Sequence, residues 1–311
     1  MRMVKLSTLP STPACAPRRA TTLAVGDAIC LAVEQFGDAS APPVVFAHGF
    51  GQTRHAWEES ALALAASGWY CVTVDARGHG GSGWLDNGRY DFMQFIDDLA
   101  TVARASAKDS REAPVLVGAS MGGLVGLCAQ ALHPTLFRAL VLVDITPRWE
   151  AAGVARILGF MRAHPQGFAT FDEAANAIAS YLPHRTGRYA SDQSRPERLR
   201  KLLIVGDDGR LRWHWDPRLL DLVEGESDRW QGTLVDAARS IAVPTLLVSG
   251  ARSDVVSDKT INEFLELVPH ARHARIDDAT HMVAGDANTA FARAVGDFID
   301  TLPSSPVSVS A

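Results

Sequence analysis

Two hydrophobic rhythms alternate along the chain. Short, almost unbroken apolar runs recur in PPVVFAHGF (42–50), WYCVTVDA (69–76), PVLVGAS (114–120), RALVLVDIT (138–146) and VPTLLVSG (243–250). Runs of five or six residues rich in valine and leucine are the length of buried strands. ARHARIDD (271–278) reads as one more strand at the end of the series. The stretches between them space their apolar residues three and four apart, the helical period: HAWEESALALAASG (55–68), DFMQFIDDLATVARASAK (91–108), MGGLVGLCAQALHP (121–134) and NTAFARAVGDFIDTL (288–302). Gly68 stands where a helix C-cap is wanted, Asp91 where an N-cap is wanted, and Pro134 where a helix must stop. Ahead of this series, TTLAVGDAICLAVEQFGD (21–38) reads as a hairpin turning at Gly26-Asp27. Alternating strands and helices predict an α/β fold: a mostly parallel, doubly wound sheet with helices on both faces.

The rhythm breaks after Pro147. Residues 147–232 hold no convincing buried strand and read as short helices around Ala151–His164, Asp172–Leu182, Glu197–Leu203 and Pro217–Val223. The expected organisation is therefore a core of residues 20–146 and 233–302, interrupted by an inserted helical segment at 147–232. A loose N-terminal arm (1–19) and a tail (303–311), both rich in Pro, Ser and Thr, flank it.

Composition narrows the partners. The chain has 311 residues, 47% hydrophobic and 21% charged, with a net charge of −5. That balance gives no electrostatic reason to expect nucleic acid or an anionic membrane. No run approaches eighteen apolar residues, and MRMVKLSTLPSTPACAPRRA lacks the apolar stretch of a secretory signal. The four cysteines (Cys15, Cys30, Cys71, Cys128) match no zinc or redox spacing. A cytoplasmic location is expected.

Candidate chemistry centres on GASMGG (118–123), where three glycines hem in Ser120 between a strand and a helix. A serine at so sharp a turn needs neighbours without side chains two positions before and after, and its hydroxyl then projects from the sheet: the Gly-x-Ser-x-Gly nucleophile elbow. A serine nucleophile needs a histidine base and a carboxylate to hold that base. Of the ten histidines, His281 in DDATHM lies in a loop after the last strand, whereas His270 and His273 flank or enter that strand. For the acid, Asp254 just past LLVSG is preferred, and Asp144 at the end of VLVDIT is its rival. Two backbone donors should form an oxyanion hole: the N–H groups of Met121 and of Phe50, beside Gly49 in the HGF turn. GHGGSG (78–83) matches Gly-x-Gly-x-x-Gly, but the turn-rich WLDNGRYD follows it where a dinucleotide site needs a helix to open.

With HGF (48–50), DARGHGGS (75–82), GASMGG (118–123), GARSD (250–254) and THM (280–282) on the page, the chain resembles the α/β-hydrolase fold superfamily across roughly residues 20–302. The resemblance implies a triad of Ser120, Asp254 and His281, an oxyanion hole at Phe50 and Met121, and a cap over the site at 147–232. It implies no metal and no organic cofactor. Serine in place of an aspartate nucleophile disfavours epoxide and haloalkane chemistry.

The expected activity is hydrolysis of a small to medium carboxylic ester through an acyl-enzyme, with no nucleic-acid or membrane partner. Cleavage of carbon–carbon bonds in ring-cleavage diketones, peracid formation, and a non-catalytic ligand receptor are the alternatives. For the substrate pocket, Arg148, Trp213 and Trp215 are candidates, Arg148 as a clamp for a second carboxylate; His214 reads as packing or pocket rim. The sequence leaves acyl and alcohol identity and oligomeric state open.

Overall fold

The computed structural model describes residues 17–181 and 199–303. The expected arm and tail, and the first residues of the helix expected at Glu197–Leu203, lie mostly outside the described residues. Strand β1 (Arg18–Ala24) already includes Arg18 and Arg19, two residues of the stretch read as an arm.

Eight strands form one sheet in the order β1-β2-β4-β3-β5-β6-β9-β10. They are β1, β2 (Cys30–Phe36), β3 (Pro43–Ala47), β4 (Tyr70–Val74), β5 (Val115–Ala119), β6 (Ala139–Val143), β9 (Thr245–Gly250) and β10 (Arg272–Ile276). The six strands from β4 to β10 are mutually parallel, and β2 runs against both of its neighbours. All residues of β3, β4, β6 and β9 are buried, which explains why they read as continuous apolar runs rather than alternating ones.

One face packs against helices α2 (Phe92–Ser106) and α3 (Met121–Leu132), the other against α1 (Glu58–Ala66) and the C-terminal Asn288–Ile299. Local signals set the helix ends. Asp91 accepts from the Met93 N–H at 2.7 Å while Gln94 accepts from the Asp91 N–H at 2.9 Å, a reciprocal capping box. Gly68 follows the end of α1 with φ +92°, the left-handed conformation that ends a helix at least cost in glycine.

Between β6 and β9 the chain leaves the sheet. It forms α4 (Ala151–Arg162), α5 (Phe171–Tyr181), a small hairpin of β7 (Leu203–Val205) and β8 (Leu211–Trp213), and the long helix α6 (Leu219–Ser240). Phe168, Ala174, Leu199, Leu203 and Leu211 give this segment a small apolar core of its own. The hairpin stands where only helices were expected. Helix α6 is far longer than the turn or two expected at Pro217–Val223; it runs through residue 232 and packs against α3. Helix α7 (Asp258–Leu267), a single turn α8 (Val283–Asp286) and α9 (Asn288–Ile299) complete the fold.

Topology places the site. From β3 the chain moves to β4 on one side and then returns to lay β5 on the other. Loops leaving the carboxyl ends of β3 and β5 diverge there and leave a crevice, the usual ligand position in an open α/β sheet. The HGF turn and Ser120 leave from these two strand ends.

Candidate active site

Ser120 is the single residue between β5 and α3, and its backbone sits at φ 47°, ψ −118°. A non-glycine residue at positive φ is strained and persists only where its surroundings over-determine it. Here they do. A Cβ on Gly118 would lie 2.7 Å from the Gly122 carbonyl oxygen, and one on Gly122 would lie 2.5 Å from the Ala47 oxygen. Neither contact is sterically possible, so both glycines are required by the close passage of β3, β5 and α3. Helix α3 begins at Met121, whose N–H has no preceding helical turn to bond to and faces outward from the positive end of the helix dipole.

The HGF turn is held from below. His48 is 1% exposed; its Nε2 accepts from the Ala76 N–H at 2.9 Å, which leaves the proton on Nδ1 to donate to the Gly49 carbonyl at 2.8 Å. The same carbonyl accepts from the Gln52 N–H at 3.1 Å. In a trans peptide the next N–H points opposite to the carbonyl, so these two bonds aim the Phe50 N–H the other way. The Gly49 N–H is taken by Gln52 Oε1 at 3.0 Å and the Gly51 N–H by His79 Nε2 at 3.2 Å. Among the described residues, the Phe50 N–H has no acceptor. Burial pushes the His48 imidazole pKa down and the His79 imidazole well down, so both are neutral hydrogen-bonding struts.

His281 lies in the loop before α8, and its Nδ1 is 2.8 Å from Asp144 Oδ2. Asp144 is fully buried at the end of β6, with φ 50°. Its Oδ1 accepts from the Gly250 N–H at 2.8 Å, and its Oδ2 also accepts from the Ser253 hydroxyl. Three donors thus hold one carboxylate. The sequence favours Asp254 for this place; in the structure the carboxylate bonded to His281 is that of its rival, Asp144. Asp254 accepts from Arg156 Nε on α4 at 2.6 Å, and its carboxylate is 35% exposed. Partial burial opposes its ionisation, but the Arg156 bonds prevail and hold its pKa below the usual carboxylate value. The Arg156 guanidinium lies 4.6 Å from the Tyr181 ring centroid, so through Arg156 Asp254 fastens α4 and α5 to the strand ends, while its charge still reaches His281 without a hydrogen bond to it.

Gln52 joins the two loops that carry the chemistry. Besides accepting from Gly49, it donates from Nε2 to Met282 Sδ at 3.1 Å, beside His281. A Cβ on Gly49 would be 3.2 Å from both Gln52 Oε1 and Ser120 Cβ. The HGF turn therefore touches Ser120 on one side and, through Gln52, the His281 loop on the other. No motif singled out Gln52; its role depends on a contact 230 positions away.

The pocket candidates separate. Arg148 is 57% exposed and faces Glu263 on α7 at 3.8 Å, so its guanidinium already has a carboxylate partner within the protein. Trp213 packs at 5.3 Å from Phe168 and 5.7 Å from Phe160, inside the inserted segment's own core. Trp215 is 3% exposed, with its ring 5.2 Å from that of Phe50. His214 is buried, and burial pushes its pKa down to about 4. Its Nδ1 accepts from the Gly80 N–H at 3.3 Å. The loop 78–83 closes on itself through a bond from the Gly78 N–H to the Gly83 carbonyl, and no helix opens before Phe92, so it is not a dinucleotide loop. Arg77 anchors it from beneath, donating to both oxygens of Asp98 at 2.7 Å.

The strained serine between strand and helix, the glycine-lined turn and the carboxylate-bound histidine define a class, and the comparisons with known proteins agree with it. Residues 42–287 match the alpha/beta hydrolase fold family, and the chain belongs to it. It is 30% identical over 265 residues to a 3-hydroxybutyrate-oligomer hydrolase of Cupriavidus necator, covering 81% of this chain and 86% of that enzyme. It is 29% identical over 269 residues to an esterase of Mycobacterium tuberculosis, covering 84% of each. Among solved structures, an E-2-(acetamidomethylene)succinate hydrolase superposes with a TM-score of 0.74 at 26% identity, covering 91% of this chain and all of that one.

Proposed function

We propose that the protein is a serine hydrolase that cleaves a carboxylic ester of small to medium size through an acyl-enzyme. One observation carries the reading: His281 Nδ1 meets the buried Asp144 carboxylate. That bond fixes the proton on Nδ1 and leaves Nε2 as the base. Ser120 attacks the ester carbonyl while Nε2 takes its proton. Asp144 orients the imidazole and stabilises the imidazolium that forms. The N–H groups of Met121 and Phe50 hold the tetrahedral oxyanion. The imidazolium then protonates the departing alcohol; the freed Nε2 draws a proton from a water whose oxygen attacks the acyl carbonyl, and as the bond to Ser120 breaks that proton passes from Nε2 to the Ser120 oxygen, releasing the acid.

The activities of its relatives support hydrolysis and the ester class: a 3-hydroxybutyrate-oligomer hydrolase, an esterase and an sn-1-specific diacylglycerol lipase are among them. In this reading the segment from α4 to β8 and the start of α6 is the cap. No described helix is long and apolar enough to cross a membrane. The three described cysteines are unpaired, in keeping with a reducing, cytoplasmic setting.

Ser120→Ala tests the assignment. It should abolish labelling by a fluorophosphonate probe and lower p-nitrophenyl butyrate hydrolysis by about 10³-fold or more, with an unchanged circular dichroism spectrum. Wild-type turnover in the purified variant would refute it.

A further inference from the structure

Buried N–H groups almost always have partners, and one left unpaired at a site points to a missing acceptor. Among the described residues the Trp215 indole N–H is buried without a hydrogen bond. Trp57 and Trp213 share this state, but Trp57 packs between Phe46 and Phe291 in the sheet's core and Trp213 between Phe160 and Phe168 on the inserted segment's core. Trp215 differs in its surroundings. Its ring lies on Phe50, and its Nε1 is 3.7 Å from where a Cβ on Gly51 would sit, one residue beyond the oxyanion donor.

The indole belongs to the core side of the site. The Trp215 backbone bridges to His79, and the Asp216 N–H donates to the Gly78 carbonyl at 2.8 Å. Trp215 is thereby fixed to the same loop whose His79 holds the Gly51 N–H. The Met161 methyl of α4 reaches the same Cβ position, so Met161 and the indole nitrogen both border the Gly51 backbone. Methionine is unbranched and flexible, the side chain most readily displaced by a ligand. A rigid, unpaired donor and a flexible side chain thus meet at Gly51, beside Phe50.

On the reading of Ser120 as nucleophile, we propose that the Trp215 N–H binds an oxygen in the acyl part of the substrate. The enzyme then prefers esters whose acyl group bears an ether, hydroxyl or keto oxygen near the scissile carbonyl over plain alkyl esters. Such an oxygen displaces the Met161 methyl and pairs the indole N–H; a methylene in its place leaves the donor unsatisfied.

Two nearly isosteric esters test this: p-nitrophenyl methoxyacetate and p-nitrophenyl butyrate. The ratio of their kcat/KM values should fall about tenfold from wild type to Trp215→Phe, which keeps the ring and removes the donor. An unchanged ratio overturns the proposal. If Trp215→Phe does not fold, wild type still answers: methoxyacetone should inhibit butyrate hydrolysis about tenfold more tightly than 2-pentanone, and equal inhibition overturns the proposal. Absence of both ester turnover and fluorophosphonate labelling at Ser120 would instead overturn the hydrolase reading and this proposal with it. Turnover with an unaltered ratio sinks this proposal alone.

Discussion

His214 shows how much a single buried side chain contributes. Its pKa falls from the ordinary 6.5 to about 4 because burial disfavours the imidazolium. The unfolded chain therefore takes up this proton at a higher pH than the folded one. The associated stability is complete above pH 6.5 and is lost as pH falls towards 4, about 3 kcal/mol in all. His48 and His79 shift in the same direction and steepen the loss. Urea denaturation should show wild type less stable at pH 5 than at pH 7.5, and His214→Gln should lose about 2 kcal/mol less over that interval. Equal losses in the two proteins would show that His214 carries no such burden. Residue-level geometry was legible in the sequence where a local motif enforced it. The sharp turn at Ser120 could be read because the glycines around it clear its close passage, and the loop position of His281 because few histidines follow the last strand. The acid could not be settled that way. Asp144 and Asp254 both follow strand ends, and only the packed structure shows Ser253 and Gly250 donating to one and Arg156 to the other.

At the scale of elements, helix caps and buried strands were written plainly. The Asp91 box is an example, and Asp91→Ala should destabilise the protein by about 1 kcal/mol in chemical denaturation without altering ester turnover. No loss of stability would mean the cap is idle. The inserted segment was harder to read. Strands β7 and β8 have three residues each, too few for an alternating pattern to emerge, and Val205 and Ile204 are exposed. Helix α6 was read only to Val223 because EGESDRWQG (224–232) carries two glycines and four charges, which blur the apolar period.

For the whole molecule, the sheet's reversal between β3 and β5 collects residues from distant parts of the sequence at one edge. Ser120 follows β5, Asp144 follows β6, and His281 lies beyond β10, while the arginine-held Asp254 ties the inserted helix α4 to the same edge. That division of labour between two aspartates is the centre of the account. It is tested by measuring kcat for Asp144→Asn and Asp254→Asn side by side on one ester, with folding checked for both. Asp144→Asn should lose about 10³- to 10⁴-fold, because the imidazole then holds the wrong tautomer, and Asp254→Asn should lose less than tenfold. A near-normal Asp144→Asn beside a disabled Asp254→Asn would contradict it.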